Sequence, residues 1–261
     1  MFMRIVIKVG TSTLAHTGGR LNIRRTELLC KVLSDLKNAG NQVVLVSSGA
    51  IGMGVGKLGL AGRPGDMPGK QAAAAVGQCA LMYTYDKLFS EHNHTVAQIL
   101  LTADDIQDDR RRGHVHDTLE KLLEWGVLPI VNENDAVSID EIGIHTTIGE
   151  NDSLSAIVAQ VVNADLLVLL SDIDGLYTAD PRKDPNARLI PVVEEITPEI
   201  LALAGGAGSG LGTGGMATKL KAAQLATASG IDMVIYNGED PEGLYALLEG
   251  KHIGTRFVGR K

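Results

Sequence analysis

The chain has 261 residues, 44% hydrophobic and 21% charged, as in a globular protein long enough for one large α/β domain or two small ones. Aromatics are only 3% and the net charge is −7, which argues against a base-stacking single-strand binder and against a general nucleic-acid binder. Two cysteines, Cys30 and Cys79, suit a reducing compartment, the first residues hold too short an apolar run for a secretion signal, and no stretch is long enough to span a membrane, so a cytoplasmic protein is expected.

Residues 4–9 (RIVIKV) read as a buried strand that stops at Gly10-Thr11-Ser12. Ligands of α/β proteins sit at such carboxyl ends of strands. Lys8 lies inside this strand: either an anionic group meets it, or the strand is an edge and the lysine faces solvent. Asn22 caps an expected helix to Ala39, with Ile23, Leu28, Leu29, Val32, Leu33 and Leu36 on its apolar face. Residues 42–46 form the second strand. Ser48 and Gly49 follow it, as hydroxyl and N–H donors for a ligand or as a plain turn. Gly52, Gly54 and Gly56 punctuate a segment given no regular element, and residues 63–69 are loop.

Residues 71–91 read as a long helix of small residues and 95–100 as the third strand. Thr102 caps a short helix. Residues 110–125 form another, with Arg110 to Arg112 solvated and Trp125 expected in the core. The fourth strand, 127–131, runs into Asn132-Glu133-Asn134-Asp135, and residues 136–148 are expected to make a hairpin excursion. Asp152 opens an apolar helix, as a cap or as something more. The most hydrophobic strand, 166–170, ends in Ser171-Asp172. A loop and short strand at 185–191, a helix capped by Thr197, a strand at 232–236, a helix at 241–248 and a strand at 254–258 complete the series. Strands alternating with helices predict a mostly parallel sheet covered on both faces.

Seven of the eleven residues from Gly205 to Gly215 are glycine, and good helix formers follow from Met216 to Ser229. A glycine loop that feeds a helix with Thr218 and Lys219 in its first turn is an anion site, most naturally for phosphate, or else a mobile loop with a solvated lysine. The match to G-x-G-x-x-G at residues 210–215 follows a helix rather than a strand, so the dinucleotide-binding context is missing. No complete Walker A loop occurs. The histidine pairs His92/His94 and His114/His116 stand two apart, about 200° around a helix, which disfavours metal ligation.

Six segments, IKVGTS (7–12), VSSGAI (46–51), VNENDAV (131–137), GENDSLSA (149–156), LLSDIDGLYTADPR (169–182) and GLGTGGMATK (210–219), occur in the order found in the amino acid kinase family. The chain resembles that family over almost its whole length, and most closely those members that phosphorylate the γ-carboxylate of L-glutamate to open proline synthesis. The resemblance implies a three-layer αβα sandwich with a mostly parallel central sheet of about eight strands. It implies one kinase domain, with the amino acid held by the half up to about residue 163 and ATP, with magnesium, by the half from about 164. Lys8 and Lys219 would stabilise the transferring phosphoryl group, with Gly10 and Gly49 offering backbone N–H groups. Asp152 would keep the two lysines together. Ser48, Asp135 and Asn151 match the glutamate contacts. Ser171, Asp172, Thr213, Gly214, Gly215, Met216, Ala217, Thr218 and Lys219 match the nucleotide site, which Lys8 also touches.

The resemblance further implies proline as a feedback inhibitor and a homo-oligomer, dimer or tetramer. The sequence exposes no protein ligand set for the metal, and its charge and the lack of a membrane-length stretch lead to the expectation of no nucleic-acid or membrane partner. Glu150 stands where these members commonly have Asp. Many also carry a C-terminal domain of the PUA type, and the chain is expected to lack it. A kinase for N-acetylglutamate, aspartate or a phosphorylated small molecule, and a sensor that binds without turnover, are the competing readings. The acidic Asp135 suits a free ammonium and disfavours an acetylated nitrogen or a phosphate.

Overall fold

A computed structural model describes residues 2–16, 20–137, 151–204 and 215–260. The chain opens with β1 (Arg4–Val9), a one-turn helix α1 (Thr11–Leu14), α2 (Ile23–Asn38) and β2 (Gln42–Ser47). Then come α3 (Ala50–Leu58), α4 (Met67–Ser90), β3 (Val96–Leu101), α5 (Ala103–Gln107), α6 (Asp109–Glu124) and β4 (Leu128–Glu133). The second half holds α7 (Asn151–Val161), β5 (Leu166–Ser171), β6 (Val192–Val193), α8 (Pro198–Leu203), α9 (Met216–Ala228), β7 (Asp232–Asn237), α10 (Gly243–Leu248) and β8 (Thr255–Phe257). The hairpin expected at 136–148 and the glycine loop lie almost wholly outside the described residues.

The strands form one eight-stranded sheet in the order β3-β4-β2-β1-β5-β7-β8-β6. Every pairing is parallel except β7 with β8. β1 lies in the middle, paired with β2 on one side and β5 on the other. Lys8 is therefore not an edge lysine. The alternation of side chains along β1 sends Ile5, Ile7 and Val9 into a core with α2, α4 and α10. Val6 points the other way, into a core with α6, α7 and α9. Helices thus cover both faces of the sheet, and Lys8, two residues from Val6, projects on the α7 and α9 side.

Local chemistry sets the helix starts. Asn22 accepts a hydrogen bond from the backbone N–H of Arg25, Asp66 from that of Gly69, and Thr197 from that of Ile200. Thr102 and Asp105 form a capping box on α5. Pro68 in its first turn and Asp66 as its cap start α4 well before the expected Gln71. Two expectations are overturned by burial. Trp125, placed in the core from sequence, is 69% exposed at the end of α6, and Ile23 is 61% exposed in the first turn of α2. Both sit at helix ends, where the apolar stripe has already turned away from the sheet. The short strand expected within 185–191 is β6, slightly later.

α3 was not expected at all. Its three glycines look like loop, but Gly54 is there for contact. A Cβ on Gly54 would stand 1.8 Å from the carbonyl oxygen of Ala73, and one on Gly77 of α4 would stand 1.7 Å from that of Ala50. α3 and α4 cross backbone to backbone, which only glycine permits. That crossing fixes the first residues of α3, and so the turn between β2 and α3.

Candidate active site

Because β1, β2, β4 and β5 are parallel, their carboxyl ends lie along one edge of the sheet. Gly10 follows β1, Ser48 and Gly49 follow β2, Asn134 and Asp135 follow β4, and Ser171 closes β5. α7 begins over this edge, with Asp152 as its second residue, and α9 presents Lys219 from its first turn.

Three charges meet there. The Lys8 ammonium stands 2.7 Å from Oδ1 of Asp152, and the Lys219 ammonium 3.1 Å from Oδ2. The side chains are 11%, 7% and 3% exposed for Lys8, Lys219 and Asp152. Thr218 adds a hydroxyl whose one proton lies between two acceptors, Asp152 Oδ2 at 2.9 Å and the Gly215 carbonyl at 2.8 Å. Burial acts most strongly on Asp152 and alone would raise its pKa. The ammonium groups of Lys8 and Lys219 and the hydrogen bonds from Lys8 and Thr218 together outweigh it, so the carboxyl titrates below its ordinary value. One carboxylate between two ammonium groups gathers positively charged donors in a place with little water to screen them. Such a site draws an anion.

The glycines differ in what they do. Gly49 has φ +106° at the start of α3, a conformation that needs glycine. Gly10 has ordinary extended angles, and a Cβ there would make plain contact, 3.5 Å from Lys8 Nζ. Its missing side chain therefore keeps open the space beside that ammonium. Ser48 donates its hydroxyl to the Val9 carbonyl at 3.2 Å, tying the turn after β2 to the end of β1. Ser171 is buried and donates to the exposed Asp172 at 3.2 Å.

Of the expected nucleotide residues, Thr213 and Gly214 lie outside the described residues. Gly215 caps α9, Met216 packs against the core, and Ala217 is exposed. Lys221, two residues beyond Lys219, is exposed on the other side of α9. The Thr218 hydroxyl is held by Asp152 and the Gly215 carbonyl.

Three side-chain amides continue the site toward α4. Asn151 Nδ2 donates to Asn132 Oδ1 at 3.3 Å, and Asn132 Nδ2 donates to Gln78 Oε1 at 2.9 Å. Neither Asn132 nor Gln78 was singled out as a site residue from the sequence. Asn132 could have been, as a polar residue at a strand end, whereas Gln78 is one polar residue in a run of small ones. A cavity of about 360 Å³ opens beside them, lined by Gln78, Gln98, Glu133, Asn134 and Asp135 and floored by alanines of α3 and α4. Its size is that of a small-molecule site. Among the described residues no three His, Cys, Asp or Glu side chains converge on a cation site, and no helix is long and apolar enough to cross a membrane.

The model of the amino acid kinase family matches residues 3–237. The chain belongs to the amino acid kinase family. Within the family it is 57% identical over 258 residues to the glutamate 5-kinase of Clostridium perfringens, covering 99% of this chain and 96% of that protein. It is 54% identical over 253 residues to the glutamate 5-kinase of Clostridium tetani, covering 97% of this chain and 93% of the relative. The Moorella thermoacetica glutamate 5-kinase is 55% identical over 99% of this chain, which spans 67% of that longer protein. Among solved structures, the carbamate kinase of Giardia lamblia bound to AMP-PNP superposes with a TM-score of 0.68 at 20% identity, covering 99% of each chain. The isopentenyl phosphate kinase of T. acidophilum gives 0.66 at 19% identity, covering 97% of this chain and 99% of that one. These two likenesses establish the family's fold: eight strands, mostly parallel, between two helical layers.

Proposed function

We propose that this chain transfers the γ-phosphoryl group of ATP to the γ-carboxylate of L-glutamate, giving L-glutamyl 5-phosphate for proline synthesis. The observation that carries the reading is the placement of Lys8 and Lys219 on the two oxygens of Asp152 at the carboxyl edge of the sheet. Identity of more than half to named glutamate 5-kinases supports the choice of acceptor.

The chemistry follows from the charges. A carboxylate nucleophile is ionised at neutral pH, so no general base is required. One γ-carboxylate oxygen forms a bond to the γ-phosphorus as the bond from phosphorus to the β,γ-bridging oxygen breaks, and ADP leaves with that electron pair. The phosphoryl group in flight carries negative charge on its peripheral oxygens. Lys8 and Lys219 face those oxygens from two sides, with backbone N–H groups at Gly10 and Gly49 completing the ring of donors. Asp152 is unsuited to be a base: its pKa is depressed and both oxygens are engaged. Its work is to hold two like charges side by side until the substrate arrives.

In this reading Ser48, Asp135 and Asn151 hold the amino acid, Asp135 against its ammonium. Ser171, Asp172 and residues 213–219 hold the nucleotide, so the halves divide near residue 163. Magnesium brought with ATP would neutralise phosphate charge. With Asp152 committed to two lysines, the described residues suit an ion held mainly by phosphate oxygens and waters. Inhibition by proline, assembly as a dimer or tetramer and a cytoplasmic location belong to the same proposal.

The test is direct. Protein, ATP, magnesium, L-glutamate and hydroxylamine should yield glutamyl hydroxamate. N-acetylglutamate and aspartate should neither replace L-glutamate nor compete with it. No hydroxamate, or a preference for one of those acids, overturns the reading.

A further inference from the structure

Two amide atoms of this site, Asn151 Oδ1 and Gln78 Nε2, are buried with no hydrogen-bond partner, and Gln78 lines the cavity. Gln78 is 8% exposed in the middle of α4, among alanines and Gly77. Its Oε1 is used, accepting from Asn132. Its Nε2 is buried and has no hydrogen-bond partner, although it belongs to a residue that lines the cavity shared with Asp135. The amide is oriented by its neighbours. Asn151 donates to Asn132 Oδ1, so Asn132 turns its own NH2 group toward Gln78, and Gln78 must answer with its oxygen. That polarity turns the Gln78 NH2 group out of the relay. A buried donor left unmade is costly, and native structures keep few of them without a purpose.

The cavity carries two carboxylates, Glu133 and Asp135, which suit an ammonium. An α-amino acid that places its ammonium there brings its α-carboxylate along, one bond from the same carbon. That carboxylate needs N–H donors, and Gln78 offers one that no protein acceptor uses. We infer that Gln78 supplies it: its Nε2 donates to the α-carboxylate of the substrate and so selects an α-amino acid over a simple amine that bears the same distant carboxylate. The inference rests on the proposed reading of the site as one for L-glutamate.

The test uses two substrates that differ only in this group. γ-Aminobutyrate keeps the amine and the carboxylate to be phosphorylated, and lacks the α-carboxylate. Gln78→Met has similar length and no polar atom. Gln78→Glu keeps an acceptor for Asn132 and replaces the donor by a negative charge. In full-length protein, kcat/KM for L-glutamate should fall about 10- to 100-fold in Gln78→Met, the scale of a hydrogen bond to a charged group, and further in Gln78→Glu. Most of the loss should be in KM for L-glutamate, with KM for ATP unchanged. kcat/KM for γ-aminobutyrate should fall less than that for L-glutamate in Gln78→Met, because only the loss of the acceptor for Asn132 reaches it. The preference for L-glutamate over γ-aminobutyrate should therefore narrow by the ratio of the two losses.

Equal losses for both substrates would mean that Gln78 acts only as a prop for Asn132 and Asn151, and would overturn the inference. So would unchanged kinetics with L-glutamate, as expected if a water serves Nε2. If Gln78→Met unfolds, Gln78→Glu decides alone, since it preserves the bond from Asn132. Wild-type activity on L-glutamate with an unaltered preference in the variants removes Gln78 and leaves the proposed function standing. Wild-type protein inert toward both amino acids removes both.

Discussion

Lys8 and Lys219 grip opposite oxygens of one carboxylate, at 2.7 and 3.1 Å, although one comes from the first strand and the other from α9, the penultimate helix among the described residues. The pair is thus held by Asp152, and its consequences can be measured.

Replacing Asp152 by Asn keeps the shape and removes the charge. Two ammonium groups would then face each other in a site that is almost dry. Loss of one partner from a buried ionic group costs about 3–5 kcal/mol. Urea titration of Asp152→Asn should show a loss on that scale, together with a fall in kcat of about 100-fold or more. A variant as stable as wild type would mean that the three charges are not coupled.

Acid should reveal the same group. The Asp152 carboxyl titrates lower in the folded chain than the ordinary unfolded value of about 3.9. Between those values the unfolded chain binds more protons, so stability rises with pH. The contribution is complete above the ordinary carboxylate range and is lost as pH falls through the folded value. Asp105, in the capping box of α5, is depressed too: burial raises it, but bonds from Thr102 and Arg111 prevail. The wild-type slope of stability against pH below about 4 should therefore be reduced, not abolished, in Asp152→Asn. An identical slope in the variant would contradict the assignment.

Gly10 and Gly49 should respond differently to alanine. Gly49→Ala forces a side chain into φ +106° and should cost about 1–3 kcal/mol. Gly10→Ala meets only ordinary contacts, so its stability should change by less than about 0.5 kcal/mol. Its methyl would nevertheless occupy the space beside the Lys8 ammonium, and kcat should drop about 10-fold or more. Thermal melts and initial rates on the two variants separate a folding role from a catalytic one.

The crossing of α3 and α4 gives a purely structural prediction. Gly77→Ala places a methyl 1.7 Å from the Ala50 carbonyl oxygen, so the helices must part, at a cost of about 1–3 kcal/mol. Gly113→Ala in α6 meets nothing within 4 Å and should be neutral or stabilising by up to about 1 kcal/mol. Equal effects in the two variants would show that the crossing is looser than described.

Much of this was legible in the sequence. The alternation of apolar strands and helices with polar strand ends predicted the sheet, and the cost of burying Lys8 within a strand pointed to an anionic partner. Nothing in the residues alone named Asp152 as that partner, since a helix cap reads the same. Only the resemblance linked it to both lysines. α3 was missed because glycines that enable a close helix crossing look, in sequence, like glycines that break a helix. Trp125 was misplaced because hydrophobicity does not say which turn of a helix has left the sheet. The amide relay from Gln78 to Asn151 was invisible because it joins three elements by contacts that no spacing along the chain encodes.

The central claim is that two amines act together on one phosphoryl group. The measurement that tests it is the rate of a single phosphoryl transfer, with both substrates saturating, in Lys8→Ala and in Lys219→Ala. Each should be slower than wild type by about 100-fold or more, with the folded state retained. Transfer at near wild-type speed in either variant would contradict the account.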